Sequence, residues 1–198
     1  ILRTANGGTT WKKQASRTRS GLLGVSCADG SRAWAVGQNG TIVRTTDGGR
    51  TWRAQRSGVR ANLNAVAFAG RLRGWVAGDR GTILRTTDGG RTWRRQKSGV
   101  SSAIESVACV DGKHAVAVAE DGRLLRTRDA GRSWTVAKPT RRALRAVTMR
   151  GGAGVSCGDA GAIVRLSSRG RSWDVRSSGS VRPLRDVVLT RDGGWAVG

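Results

Sequence analysis

Tyrosine is absent from this sequence, and His, Phe and Met each occur once, beside two Pro and three Cys in 198 residues. Each shortage excludes something. Without Tyr there is no phenolic nucleophile. A single histidine, His114, rules out His-rich metal sites and leaves little basis for a Ser-His-Asp arrangement. Its place at the start of a strand reads as a surface or packing position. Three cysteines are too few for a disulfide framework. No run of about 18 apolar residues occurs, so no helical membrane span is expected. Acids are scarce too: 13 Asp and Glu stand against 36 Lys and Arg, a net charge of +23. Arginine carries 31 of those 36 cations. Such a surplus points to acidic partners, whether a protein face, anionic lipid head groups or nucleic acid.

What is abundant is regular. Eight Trp and 30 Gly fall in a repeating frame. Trp11, Trp52, Trp93, Trp134 and Trp173 are spaced by 41, 41, 41 and 39 residues, the mark of a repeat architecture. The unit ending in Trp52 contains a short apolar run, LLGVSCA, then the turn DGS, the run RAWAVG, the turn QNG and the run TIVRT. The segment TTDGGRTW and the polar stretch WRAQRSG follow. Short, partly alternating runs bounded by Gly, Asp and Asn are strands joined by tight turns. Four strands in about 40 residues make a propeller blade, which buries its faces only by stacking on its neighbours.

The expected fold is therefore an all-β β-propeller of five four-stranded blades over residues 1–198, a single domain. Its terminal blade is expected to be closed by strands from both chain ends. Ile1-Leu2-Arg3-Thr4 aligns with the third-strand segment Ile42-Val43-Arg44-Thr45, while Gly194–Gly198 aligns with the second-strand segment Gly74–Gly78. A monomeric ring is the expectation, interlocked so as to remove free sheet edges, with a piece of a larger ring as the alternative.

Most chemically active side chains have a place in this frame. Asp29, Asp111 and Asp192 fall in turns between strands one and two, and Asp79, Asp121 and Asp159 in turns between strands two and three. Asp47, Asp88 and Asp129 belong to the TTDGGRTW-like segments. Only Glu105, Glu120, Asp174 and Asp186 lie outside these positions, with no pairing pattern, so paired-carboxylate glycoside hydrolysis has weak support. Cys27 and Cys109 share a first-strand column with Phe68, Met149 and Leu189, and Cys157 a second-strand column with Val36. All three read as core. Trp34, Trp75 and Trp195 share another second-strand position and read as packing, leaving almost no spare aromatics for a single-stranded nucleic-acid platform.

Written T-x-D-x-G-x-T-W, the repeated segment resembles the Asp-box of bacterial-neuraminidase-type repeats. It is intact at Thr45, Asp47, Gly49, Thr51 and Trp52, and at Thr86, Asp88, Gly90, Thr92 and Trp93. It persists at Thr127, Asp129, Gly131, Ser133 and Trp134. The first copy has Asn6 for Asp, and the last has Leu166 and Ser168 before Gly170 and Trp173. The box lacks the Lys and spacing of a P-loop and the several acids of a calcium loop, so it reads as a structural turn. Whole blades such as AWAVGQNGTIVRTTDGGRTW look most like the propellers of the photosystem II stability and assembly factor family.

That resemblance implies a non-catalytic scaffold holding a client protein, with an arginine-rich surface and a periplasmic, lumenal or extracellular site. The sialidase branch of Asp-box proteins needs a Tyr that this chain lacks. No cofactor or metal is implied. Candidate partners are an acidic protein surface or a membrane-protein client. Nucleic acid or another polyanion is the second class, and a carbohydrate-binding or glycosidase-like propeller the third. Loops of irregular sequence on a repeated scaffold are where binding resides. The candidates are Arg17, Arg19, Arg56, Arg60, Arg141, Arg142, Arg176 and Arg182, in or beside the connections between blades. Two further arginine sets recur. Arg3, Arg44, Arg85, Arg126 and Arg165 mark the third strands, and Arg32, Arg50, Arg91, Arg132 and Arg171 lie on the Asp-box face.

Overall fold

Apolar runs of three to seven residues cannot form stable helices, but they can alternate across a twisted sheet, and each run here is a strand. The structure, a computed structural model, describes residues 1–166 and 172–198. Blade one contains β3 (Leu22–Cys27), β4 (Ala33–Gly37), β5 (Ile42–Thr45) and β6 (Arg53–Gln55). Blade two contains β7 (Leu63–Ala69), β8 (Arg73–Gly78), β9 (Thr82–Thr86) and β10 (Arg94–Gln96). Blade three contains β11 (Ile104–Cys109), β12 (Ala115–Ala119), β13 (Leu124–Thr127) and β14 (Thr135–Ala137). Blade four contains β15 (Leu144–Arg150), β16 (Ala153–Gly158), β17 (Ala162–Leu166) and β18 (Trp173–Ser177). All four are antiparallel meanders with neighbouring strands paired in chain order.

Two half-blades complete the set. β1 (Leu2–Arg3) and β2 (Lys12–Lys13) occupy the third- and fourth-strand positions, while β19 (Asp186–Leu189) and β20 (Gly194–Val197) occupy the first and second. These are the complementary strand types that closure from both chain ends requires. Each pair is hydrogen-bonded as its own two-stranded sheet.

Stacking builds the core. First strands of successive blades lie side by side, β3 by β7, β7 by β11, β11 by β15 and β15 by β19. Second strands carry the deepest residues, and β12 is buried along its whole length. One contact recurs at each junction: the second strand of one blade meets the first strand of the next. Trp34 stacks on Phe68 at 3.5 Å between ring centroids, Trp75 packs with Cys109, and Val116 packs with Met149. Aromatic stacking adds to the area these rings bury.

The same columns are open at the outermost sheets, which corrects two expectations. Val25 is 63% exposed where its equivalent Val66 is 8%, and Trp195 is 65% exposed where Trp34 is fully buried. Cys27, in the Phe68 column, is exposed as well, while Cys109 is half-buried and Cys157 buried. Not all three cysteines are core, because no second strand stands over Cys27 as β4 stands over Phe68. Burial pushes the Cys109 thiol up to about 12 and that of Cys157 to about 11, so neither is a thiolate at neutral pH.

Backbone geometry explains the glycine ending most second strands. A Cβ on Gly37, Gly78 or Gly158 would collide with the carbonyl of Gly21, Asn62 or Ala143, at the entry to the adjacent first strand. The first strands of the four complete blades each carry a β-bulge, at Leu23, Asn64, Glu105 and Arg145. A bulge re-aims one side chain per blade.

Candidate interaction surface

Antiparallel meanders separate the turns into two faces. On the first face the boxes at Asp47, Asp88 and Asp129 are tied to the strand-one-to-two turn of their own blades, Gly48 N–H donating to Ser31 O, Gly89 to Leu72 O and Ala130 to Lys113 O. On the second face the strand-two-to-three turn is tied to the entry of strand one, Gln38 N–H donating to Gly21 O and Asp79 N–H to Asn62 O. Connections between blades run across this second face.

The Asp-boxes are closed hydrogen-bond units, as their residue types require. Thr45 Oγ1 donates to Asp47 Oδ1 at 2.8 Å and accepts from Gly49 N–H at 2.8 Å. Asp47 accepts from Thr51 N–H at 2.9 Å and Thr51 Oγ1 at 2.6 Å. Thr86, Asp88, Gly90 and Thr92 repeat this pattern, and so do Thr127, Asp129, Gly131 and Ser133. Thr51 and Thr45 hold the Asp47 carboxyl down at about 2, and Ser133 and Thr127 do the same for Asp129. Partial burial raises Asp88, but Thr92 and Thr86 outweigh it and its value is also about 2. Asn6 preserves the geometry without charge, accepting from Thr4 Oγ1 and Thr10 N–H at 3.0 Å and donating to Thr10 Oγ1 at 3.0 Å. Ser168, Gly170 and Arg171 lie outside the described residues.

The boxes at Asp47, Asp88 and Asp129 are also bracketed by the preceding blade. Gln14 Nε2 donates to Gly48 O at 3.2 Å while its Oε1 accepts from Trp52 Nε1 at 3.3 Å. Gln96 does the same for Ala130 and Trp134, both at 3.2 Å. At the junction between them, Trp34 Nε1 donates to Gly89 O at 2.9 Å, and Trp93 meets Phe68 edge-on. Trp52 is buried, and Trp93 and Trp134 are half-buried.

Of the third-strand arginines, Arg44, Arg85 and Arg126 are half-buried in these same junctions, while Arg3 and Arg165 are exposed. Arg3 donates to Gly30 O and Arg85 to Gly112 O, each at 3.3 Å in the next blade, and Arg85 lies over the Trp75 ring. Burial first, and neighbouring guanidinium groups second, lower the pKa values of Arg44, Arg85 and Arg126. Arg3 and Arg85 brace neighbouring blades, and the half-buried Arg44, Arg85 and Arg126 offer little to a partner.

The eight candidate contact arginines are all exposed. Arg17, Arg19, Arg56, Arg60, Arg141, Arg142 and Arg182 lie on connections between blades, and Arg176 lies within the outer strand β18. Among the described residues, Arg176 alone of the eight meets a carboxylate, Asp174 at 3.6 Å. Arg142 reaches the Ala160 carbonyl at 2.6 Å. The structure spreads the eight over several blades and does not gather them into one cluster.

A different charged group was not anticipated. Bulge and turn positions of blades two to four bring Asp79, Glu105, Glu120 and Asp159 together around Arg145. Arg145 Nε and Nη2 donate to the two oxygens of Asp159 at 3.0 and 2.8 Å, and its Nη1 lies 3.7 Å from Glu105 Oε1. Asn62 and Asn64 each donate to Asp79 at 3.0 Å, and Ala103 N–H donates to Glu120 Oε1 at 3.0 Å. Burial raises the Glu105 pKa against the pull of Arg145, with Glu120, Asp79 and Asp159 adding to the rise. The Arg145 hydrogen bonds lower Asp159. Glu105 and Glu120 therefore do have neighbours. The signal was present in two sequence columns, Leu23/Asn64/Glu105/Arg145 and Gln38/Asp79/Glu120/Asp159. Asp79, Asp159 and Glu120 have oxygens engaged in holding loops. Among the described residues no cluster of His, Cys, Asp and Glu fits a metal ion, and no helix is long and apolar enough to cross a membrane.

The family model described as photosynthesis system II assembly factor YCF48 matches residues 3–184. The chain belongs to that family. Two solved structures carry the same family name. One, YCF48 bound to D1 peptide, is 23% identical with a TM-score of 0.71 and aligns over 90% of this chain and 62% of its own. The other, YCF48 from Cyanidioschyzon merolae, is 20% identical with a TM-score of 0.71, over 94% of this chain and 66% of its own. The chain thus spans about two thirds of the length of these YCF48 structures. A propeller from an ancestral GH74 enzyme shares the fold at 13% identity and a TM-score of 0.75, over 97% of this chain and 30% of its own. No curated protein matches the chain.

Proposed function

We propose that this YCF48-family propeller is a non-catalytic scaffold that holds an acidic segment of a membrane-protein client on its second face. The observation that carries the reading is the set of exposed arginines on the connections of that face, nearly all without carboxylate partners among the described residues. Family membership supports it, as does the solved complex of a relative with D1 peptide. The engaged carboxylates around Arg145 support a binding role over glycoside hydrolysis, which needs a carboxylate pair free to act across a sugar.

The test is a titration of the protein with a labelled acidic peptide, an uncharged peptide and a 20-base-pair duplex, at low and high salt. Selective binding of the acidic peptide, weakened about tenfold or more by Arg141→Glu with Arg142→Glu, is the expected result. The net charge of +23 favours one competing reading, general polyanion binding. That reading requires tight duplex binding falling steeply with salt, and no preference for the peptide.

A further inference from the structure

We propose that the outer edge of blade two is a strand-docking groove, in which an extended acidic peptide pairs with β10. The inference rests on the scaffold reading above and adds a strand-pairing contact at a blade edge to the arginine contacts of the second face. β10 is the last strand of its sheet and pairs only with β9, through Arg94–Arg85, Arg95–Leu84 and Gln96–Ile83. One edge of its backbone is therefore unpaired, and such an edge is a template for an added strand.

Two hollows flank this strand. One, of about 670 Å³, is bounded by Arg80 and Arg123 on the second face. The other, of about 590 Å³, is bounded by Arg85 and Arg132 toward the Asp-box face. Both include Arg95, Gln96 and Lys97 in their walls. Gln96 is held by the next blade through Ala130 and Trp134, which fixes the strand relative to that wall. Arg94, Arg95 and Lys97 are exposed beside it.

The outer strands of the neighbouring blades, each taken with the residue after it, are less basic: Arg53 and Arg56 at β6 and Lys138 alone at β14, against Arg94, Arg95 and Lys97 at β10. Charge, open edge and flanking hollows coincide at β10. Lys and Arg on an edge repel basic strands and disfavour uncharged ones, whose pairing would strip water from the charges, the usual protection against aggregation. They leave the edge open to a strand of opposite charge. An extended chain rises about 3.3 Å per residue, so a segment of four or five residues covers β10 and presents every second side chain to the blade-three side, where both hollows lie. A duplex meets phosphates with cations but has no use for an unpaired strand edge.

The probe is a fluorescent octapeptide, acetyl-(Val-Glu)₄-amide, with two companions: the same sequence N-methylated at alternate residues, and its Val-Lys counterpart. Expected are saturable binding of the Val-Glu peptide and loss of about tenfold or more on N-methylation, which removes strand pairing but keeps the charge. An equal loss is expected for Arg95→Ala with Lys97→Ala, whose fold is checked by its unchanged melting temperature. Binding indifferent to N-methylation overturns strand addition. Binding insensitive to the Arg95 and Lys97 changes but lost in the Arg141→Glu, Arg142→Glu protein overturns the groove and leaves the scaffold reading standing. Failure of every acidic peptide, with duplex still bound, overturns both.

Discussion

A hydroxyl and a carboxylate in the boxes at Asp47, Asp88 and Asp129 satisfy backbone groups that have no other partner, and this makes the box testable one atom at a time. Thr86 is buried, and its Oγ1 receives the N–H of buried Gly90 at 2.9 Å. Thr86→Val keeps the shape and removes the acceptor. It is expected to destabilise the protein by about 1–3 kcal/mol, the cost of an unsatisfied buried donor, measured by urea unfolding. The box acids give the fold an acid limit. Asp47, Asp88 and Asp129 sit at about 2 in the fold and near 3.9 unfolded. Because their folded values are depressed, their contribution is complete above about pH 4 and is lost as pH falls toward 2. The melting temperature should drop across that window, and less steeply in an Asp47→Asn protein, which copies the natural Asn6 box.

At the scale of the strand, each residue's worth depends on which sheet stands beside it. Trp34 and Trp195 occupy equivalent positions, yet the first is fully buried and the second is 65% exposed. Trp34→Ala is expected to cost about 3–5 kcal/mol and Trp195→Ala less than about 1, a contrast readable in one pair of denaturation curves. Gly78→Ala should also destabilise, by about 1–3 kcal/mol or more, since its Cβ meets the Asn62 carbonyl. Strand order, turn positions and the role of the box were legible because they follow from local residue chemistry repeated at a fixed spacing. Cys27 and Trp195 were misread because a column in an aligned repeat fixes the residue's direction but not its neighbour. The group around Arg145 escaped because a bulge shifts the register, and an even two-residue alternation hides the side chain it re-aims.

Across the molecule, charge is separated by depth. Third-strand arginines brace junctions, Arg145 neutralises the carboxylates around it, and the exposed arginines are left to the solvent. Changing Arg145 to Gln should lower the melting temperature, since Asp159 loses its bidentate partner, while acidic-peptide affinity stays within about twofold because no contact residue is altered. Changing Arg141 and Arg142 to Glu should do the reverse. That double dissociation separates the charges that hold the propeller from those that serve it.

The brackets from Gln14, Trp34 and Gln96 to the boxes at Gly48, Gly89 and Ala130 have a dynamic consequence. Each turn is latched by the blade before it, so opening one blade frees the carbonyl latch of its successor. The blades should therefore unfold as coupled neighbours and not as independent units. Amide hydrogen exchange would register this as loss of protection at Gly90 when Trp34, 56 residues earlier in the chain, is changed.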